Sequence, residues 1–167
     1  MTNTLVYFTA TGYWEDIEAP DPAQTSGTPD VNTFTAFVNF YPRVPPNYTL
    51  YIPQLTTSTG TFDTGIELAE IRARITNGKL VTINRSDTEG IQLLANTAPV
   101  ATALTASGIT TGLVWDVEFT DVVYAGKPRT LKPFGFAAPA TSSTVSITSP
   151  SLQRLPYCGP GSGFVWA

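Results

Sequence analysis

The stretch "LVWDVEFTDVV", Leu113 to Val123, decides how the rest of the chain is read. Its large apolar side chains, Leu113, Trp115, Val117 and Phe119, fall on alternate positions, with the carboxylates of Asp116 and Glu118 between them. Successive side chains of an extended chain point to opposite faces, so this is the pattern of a strand with one face in a core. The two acids share the other face with Cα atoms roughly 6.8 Å apart, a span that paired catalytic carboxylates also use. Spacing alone therefore leaves two readings, a catalytic pair and the wet side of a strand. Because the alternation already explains why polar residues lie between the apolar ones, Asp116 and Glu118 are expected to be solvated or interface acids. Trp115 is expected to matter most in the stretch, and no catalytic residue is assigned.

Working outward, "NTFTAFVNFYP" alternates as strictly, with Phe34, Ala36, Val38 and Phe40 on one face and Thr35, Phe37, Asn39 and Tyr41 on the other. "TLVYFTATGYW", Thr4 to Trp14, is apolar on both faces, as in a strand covered on two sides. "RVPPNYTLYIPQL" reads as a Pro-rich turn and a short strand around Tyr48 to Ile52 that Pro53 breaks or confines to an edge. In "DTGIELAEIRARITNGKLVTI", Thr64 and Glu67 have the spacing of a helix-opening capping box. Against that, Ala69, Ile71, Ala73 and Ile75 alternate with Glu70, Arg72 and Arg74, and Asn77-Gly78 separates two apolar runs. A type I′ turn needs positive φ at both central residues, which Asn-Gly supplies, so the segment predicts a hairpin of Glu67–Thr76 with Lys79–Asn84. Further along, "IQLLAN", "LKPFGFAAP" and "STVSITSP" read as short strands, and "TAPVATALTASGITTG" as a connection holding a short helical turn.

Thirteen Gly, fourteen Pro and 13% charged residues in a chain of 167 disfavour helices, while Val, Ile, Thr, Phe and Tyr suit strands. The expectation is a mainly β protein, an antiparallel β-sandwich of Ig-like or jelly-roll-like form with flexible terminal segments. Residues 1–30 form an N-terminal strand and acidic loop, 31–149 the sandwich domain, and 150–167 a C-terminal extension. The net charge of −4 argues against a nucleic-acid partner, since phosphate binding needs a basic surface. No apolar run reaches the roughly 20 residues that span a bilayer, and "MTNTLVYFTA" lacks the basic flank of a signal peptide. No membrane insertion is expected, and synthesis in the cytoplasm is. Cys158 has no second cysteine to bond, and the absence of histidine removes Ser-His-Asp and Cys-His arrangements and the usual structural zinc sites. No cofactor or metal is expected, and carboxylate chemistry is the enzyme option that remains.

From about Thr33 to Pro139, the succession "FVNFYPR", "LYIPQ", "ARITNGKL", "EGIQLLANTA", "LVWDVEFTDV" and "GKPRTLKPFGFAAP" resembles a module of minor tail proteins from siphophages that infect actinobacteria. The resemblance implies a non-enzymatic virion subunit at the tail tip or in a tail fibre, with other virion proteins as partners. It also implies a homo-oligomer, with a trimer favoured, and contact with a host cell-surface glycan. A capsid decoration or head-fibre protein, a carbohydrate-binding module, and a glycan-cleaving enzyme using Asp116 and Glu118 are the alternatives. Tyr13 and Trp14 at the end of the first strand, and Phe164 and Trp166 beyond a Gly-rich lead, are the candidate subunit contacts, either docked on their own core or inserted into a neighbour. The acidic segment Glu15–Asp30 holds hard oxygen ligands at Glu15, Asp16, Glu18, Asp21 and Asp30, but no calcium-loop spacing, and reads as a long exposed loop. "NYT" at Asn47 and "NRS" at Asn84 fit a glycosylation pattern that a protein made in bacteria has no expected use for.

Overall fold

The computed structural model of the chain describes residues 2–18, 30–33, 35–124 and 127–159. In chain order the strands are β1 (Tyr7–Thr11), β2 (Glu15–Glu18), β3 (Asp30–Thr33), β4 (Thr35–Pro42), β5 (Thr49–Thr57), β6 (Gly60–Glu67) and β7 (Ile71–Thr76). Then come β8 (Lys79–Thr82), β9 (Arg85–Glu89), β10 (Ile91–Leu94), the helix α1 (Ala98–Ala106), β11 (Val114–Tyr124), β12 (Lys127–Pro128), β13 (Phe134–Ala137) and β14 (Thr144–Ser146). The protein is mainly β, as its composition implies.

A large sheet in the order β12-β11-β4-β7-β8-β9, with β13 also on β11, faces a three-stranded sheet β10-β1-β14, giving a sandwich-like arrangement. The pairings are antiparallel except that β14 runs parallel to β1. Trp115 and Phe8 join the two layers. The Trp115 indole N–H donates to the Leu94 carbonyl at 3.1 Å, and Phe8 meets Phe136 edge-on with ring centroids 6.0 Å apart. Both contacts fall within one core that also takes Val38 and Phe40 from β4, Leu50 and Ile52 from β5, and Leu104 from α1. Full burial of such a side chain stabilises the fold by about 2 kcal/mol as an upper estimate, so these alternating residues dominate the energetics. The N-terminal strand is part of that core. With β1 central in its sheet and Phe8 and Ala10 completely buried, the boundary drawn at residue 30 does not separate an N-terminal unit.

β4 keeps the alternation read from its sequence, with Ala36, Val38 and Phe40 buried. The Asn77-Gly78 turn is also where the sequence puts it, at φ +52° and +77° between β7 and β8. Its first strand begins at Ile71 rather than Glu67, because Glu67 closes a different hairpin. Pro53 does not end β5. The β5–β6 ladder absorbs Pro53 and Gln54 in an irregularity between Ile52 and Leu55, where Gln54 takes φ +48°. A bulge lets one strand carry an extra residue without losing its partner, so a proline inside the run is compatible with pairing. Thr64 and Glu67 accordingly lie in a strand, not at a helix start.

The connection after β10 holds a full helix rather than a single turn. α1 opens with Pro99 in its first turn, where a missing N–H costs nothing, and buries Val100 and Leu104. It closes with a Schellman pattern: Ile109 N–H donates to Leu104 O, Gly108 N–H to Thr105 O, and Gly108 takes φ +90°. The expected acidic loop is strand at both ends, with Glu15 opposite Thr33 and Glu18 opposite Asp30. Asp21 and the rest of 19–29 lie outside the described residues.

Candidate functional site

The acids of the opening stretch differ in exposure: Asp116 is buried, Glu118 is partly buried and Asp121 is exposed. Asp116 is 0% exposed, and the Arg43 guanidinium holds both its oxygens, Nη2 to Oδ1 at 2.6 Å and Nε to Oδ2 at 3.3 Å. A strand whose back face is wet would leave Asp116 in water. Here the chain returns over that face after Leu155, and the acids hold it. Arg43 also donates to the Pro156 carbonyl at 2.7 Å, the Cys158 N–H reaches Asp116 Oδ1 at 3.5 Å, and the Tyr157 hydroxyl donates to Glu118 at 3.0 Å. Leu155 completes the strap by exchanging backbone hydrogen bonds with Gly135 at 2.7 and 2.8 Å. Gly135 is required there, since a Cβ would lie 2.5 Å from Arg43 Nη2 and 2.8 Å from Asp116 Oδ1. A side chain at 135 would displace the ion pair. The first part of the expected C-terminal extension is thus tied to the sheet as far as Cys158.

The charges and phenols of this cluster are set for hydrogen bonding. The hydrogen bond to Asp116 holds the Arg43 guanidinium charged beyond its ordinary range, against the pull of burial. Burial, and then Glu118, push the Tyr157 phenol well above its usual value, so it keeps the proton it donates to Glu118 into alkaline solution. Tyr41, on the neighbouring strand, is pushed up to about 12, by burial first and then by Glu118 and Glu70. Asp116 therefore has its oxygens committed to a cation and a backbone N–H, and Glu118 accepts from a tyrosine. Such groups position a chain segment.

Of the four aromatic residues proposed as subunit contacts, two are described. Tyr13 is 51% exposed, while Trp14 stacks edge-on to Phe119 at 5.7 Å and packs against its own core. Phe164 and Trp166 lie outside the described residues. Trp14, Phe119, Phe134 and Tyr157 line a half-open cleft of about 640 Å³, with Lys132 and Arg154 at its walls. Arg154 lies over the Phe134 ring at 5.3 Å and spends its N–H groups on the carbonyls of Ile147, Ser149 and Leu152.

Among the described residues, the two most exposed large apolar side chains are ones the sequence reading missed, and they lie on opposite faces of one hairpin. β5 and β6 form a two-stranded sheet of their own, anchored by Leu50, Ile52 and Leu55 in the core. Tyr51 on β5 is 71% exposed and Phe62 on β6 is 53% exposed. The tip is tied by Thr57, whose hydroxyl donates to Gly60 O at 2.9 Å and accepts from the Thr59 N–H at 3.2 Å. Asp63 Oδ1 accepts from both the Gln54 backbone N–H and its side-chain amide, at 3.0 and 3.1 Å, which fixes the irregular stretch. The outer edge of β5 is covered by Asn3, which donates to Gln54 O and accepts from Thr56 N–H. Among the described residues β6 pairs with β5 alone. The signal was present as two apolar runs around "TTSTGT", a turn-rich stretch that the weight given to Pro53 concealed.

No protein-family model, curated protein or solved structure matches the chain.

Proposed function

We propose that the protein is a non-enzymatic structural subunit of a phage virion, a minor tail protein of the tail tip or a tail fibre, that acts by binding copies of itself or neighbouring virion proteins. The observation that carries the contact role is the β5–β6 hairpin, an arm with large exposed side chains and a strand edge that is unpaired among the described residues. Unpaired edges and exposed aromatics are what assembling proteins use to dock, and a monomer has reason to avoid both. The virion setting rests on the resemblance of residues 33–139 to siphophage minor tail modules. The commitment of Asp116 and Glu118 to the strap favours contact over glycan cleavage. The test is mass spectrometry of purified particles with antibody labelling. The chain is expected in the particle with label on the tail; label on the head would favour a decoration protein, and absence from particles would overturn the reading.

A second reading, recognition of a host-surface glycan, is favoured by the cleft lined by Trp14, Phe134 and Tyr157, since aromatic walls with a few polar groups suit a small ligand. A glycan array probed with the wild-type protein and with Trp14→Ala separates the two. Retention lost in the variant would support the cleft, and no retention would leave protein contact alone.

A further inference from the structure

We infer that the open edge of β6 pairs antiparallel with β6 of a second copy of this chain, in a two-fold register centred on Thr64. This names a partner for the contact role proposed above and rests on that reading. Among the described residues nothing covers the outer edge of β6, and its only charges are the two carboxylates Asp63 and Glu67. "GTFDTGIE" contains no proline and no lysine, the residues that commonly blunt edges, whereas β5 carries Pro53 and is covered by Asn3.

Hydrogen-bond parity limits the registers. Residues facing each other across an antiparallel pair alternate between those that exchange both backbone bonds and those that exchange none. The two-residue turn Ser58-Thr59 closes on the pair Thr57 and Gly60, which must be of the bonded kind. Along β6, Gly60, Phe62, Thr64 and Ile66 therefore bond towards β5. The N–H and C=O groups of Thr61, Asp63, Gly65 and Glu67 point out from the open edge. A second β6 can bond there only if odd-numbered residues meet odd-numbered residues.

Charge then selects among the registers that keep most of the strand paired. Two two-fold registers pair seven of the eight residues, those centred on Asp63 and on Thr64, and centring on Asp63 sets Asp63 against itself with like charges directly opposed; centring on Phe62 or Gly65 pairs only five. Centring on Thr64 sets Asp63 opposite Gly65 and Thr61 opposite Glu67, so no two carboxylates meet. The same register places Phe62 opposite Ile66 and Thr64 opposite Thr64, in the unbonded pairs where side chains come closest. Phe62, Thr64 and Ile66 lie across from Leu55, Ile52 and Leu50, all buried in the core. The exposed ring of Phe62 would thus carry that apolar row across the two-fold axis. The contact is isologous and closes on itself as a dimer, unlike the trimer that the resemblance implies.

The test combines sedimentation of the whole chain with cysteine cross-linking in a Cys158→Ser background, with circular dichroism to confirm folding. Wild-type protein is expected to show a concentration-dependent dimer. Thr64→Cys should form an interchain disulfide on mild oxidation, because unbonded pairs sit about 4.5 Å apart at Cα, within reach of the bond. Gly65→Cys, opposite Asp63, should not, and it leaves both carboxylates of the strand in place. Thr61→Lys should tighten the dimer roughly 2- to 30-fold by facing Glu67 of the second copy at two symmetric positions, and Thr61→Glu should weaken it. A folded monomer at every concentration, cross-linking from residue 65 as ready as from 64, or indifference to the charge placed at 61 would each overturn the inference. Those failures would leave the particle labelling unaffected. Absence from particles would remove the virion role and leave the dimer standing.

Discussion

Arg43→Ala should destabilise the protein more than any other loss of a single charge. The Asp116 carboxylate is 0% exposed and its partner 16% exposed, so deleting Arg43 strands an anion that keeps only the 3.5 Å approach of the Cys158 N–H. Breaking a buried pair by removing one member typically costs about 3–5 kcal/mol, since the remaining charge is left without compensation. In a domain of this size about 1 kcal/mol moves Tm by about 2–4 °C, so the melting temperature should fall by roughly 6–20 °C. The strap should also loosen, because Arg43 is the donor to Pro156 O. Urea unfolding gives the free energy, and amide exchange at Leu155 and Cys158 gives the local effect. Replacing both members by apolar residues, Arg43→Met with Asp116→Leu, should cost less than Arg43→Ala alone, because no charge is left stranded. A loss below about 1 kcal/mol for Arg43→Ala, or a double variant that costs the sum of its parts, would refute a buried ion pair as the anchor.

Trp115→Ala should cost about 3–5 kcal/mol in urea unfolding, since it empties the core and leaves the Leu94 carbonyl without its indole donor; a harmless change would mean the core lies on the other face of β11. Gly135→Ala should destabilise and raise exchange at Leu155, because its Cβ would enter the space of Arg43 and Asp116, whereas unchanged exchange would deny that close approach. Asn77→Ala should cost about 1 kcal/mol through its φ of +52°, read from the urea midpoint, and a neutral result would mean the turn relaxes to another type. Stability should hold below about pH 10 and fall as pH rises towards 12, because the unfolded chain gives up its phenolic proton near 10 while Tyr41 keeps its own up to about 12. Tyr41→Phe should shallow that fall, and identical alkaline profiles for the two proteins would show that Tyr41 does not contribute.

Much of the fold was legible because strands with one buried face announce themselves by alternation. β4 and the Asn77-Gly78 turn were read correctly for that reason. In β11 Trp115 and Val117 are buried as the alternation implies, but so are Val114 and Asp116 on the other face, and after the register shift between Thr120 and Val123, where Asp121 takes φ +51°, Val122 and Tyr124 become the buried residues. A bulge changes the phase of a strand without leaving a composition signal. The burial of Asp116 was not legible, because what covers it comes from Arg43 and from a segment beyond Leu155, both distant in sequence. Alternation tells which residues share a face, and only tertiary contact tells whether that face is wet. Of the two readings of Pro53, the edge holds, since β5 lies in a two-stranded sheet, and the break does not, because a proline at an irregularity tied by Asn3 and Asp63 sits within the ladder; Tyr51 and Phe62 were missed with it.

A contact-making role is tested most directly by an electron-microscopy map of the purified particle, resolved well enough to place the sandwich and identify what covers the β5–β6 hairpin. The expected result is the chain in the tail, with Tyr51, Phe62 and the β6 edge buried against a neighbouring chain. A map in which the hairpin stands free in solvent while another face makes every contact would contradict that role for the arm, and a particle without the chain would contradict the virion assignment itself.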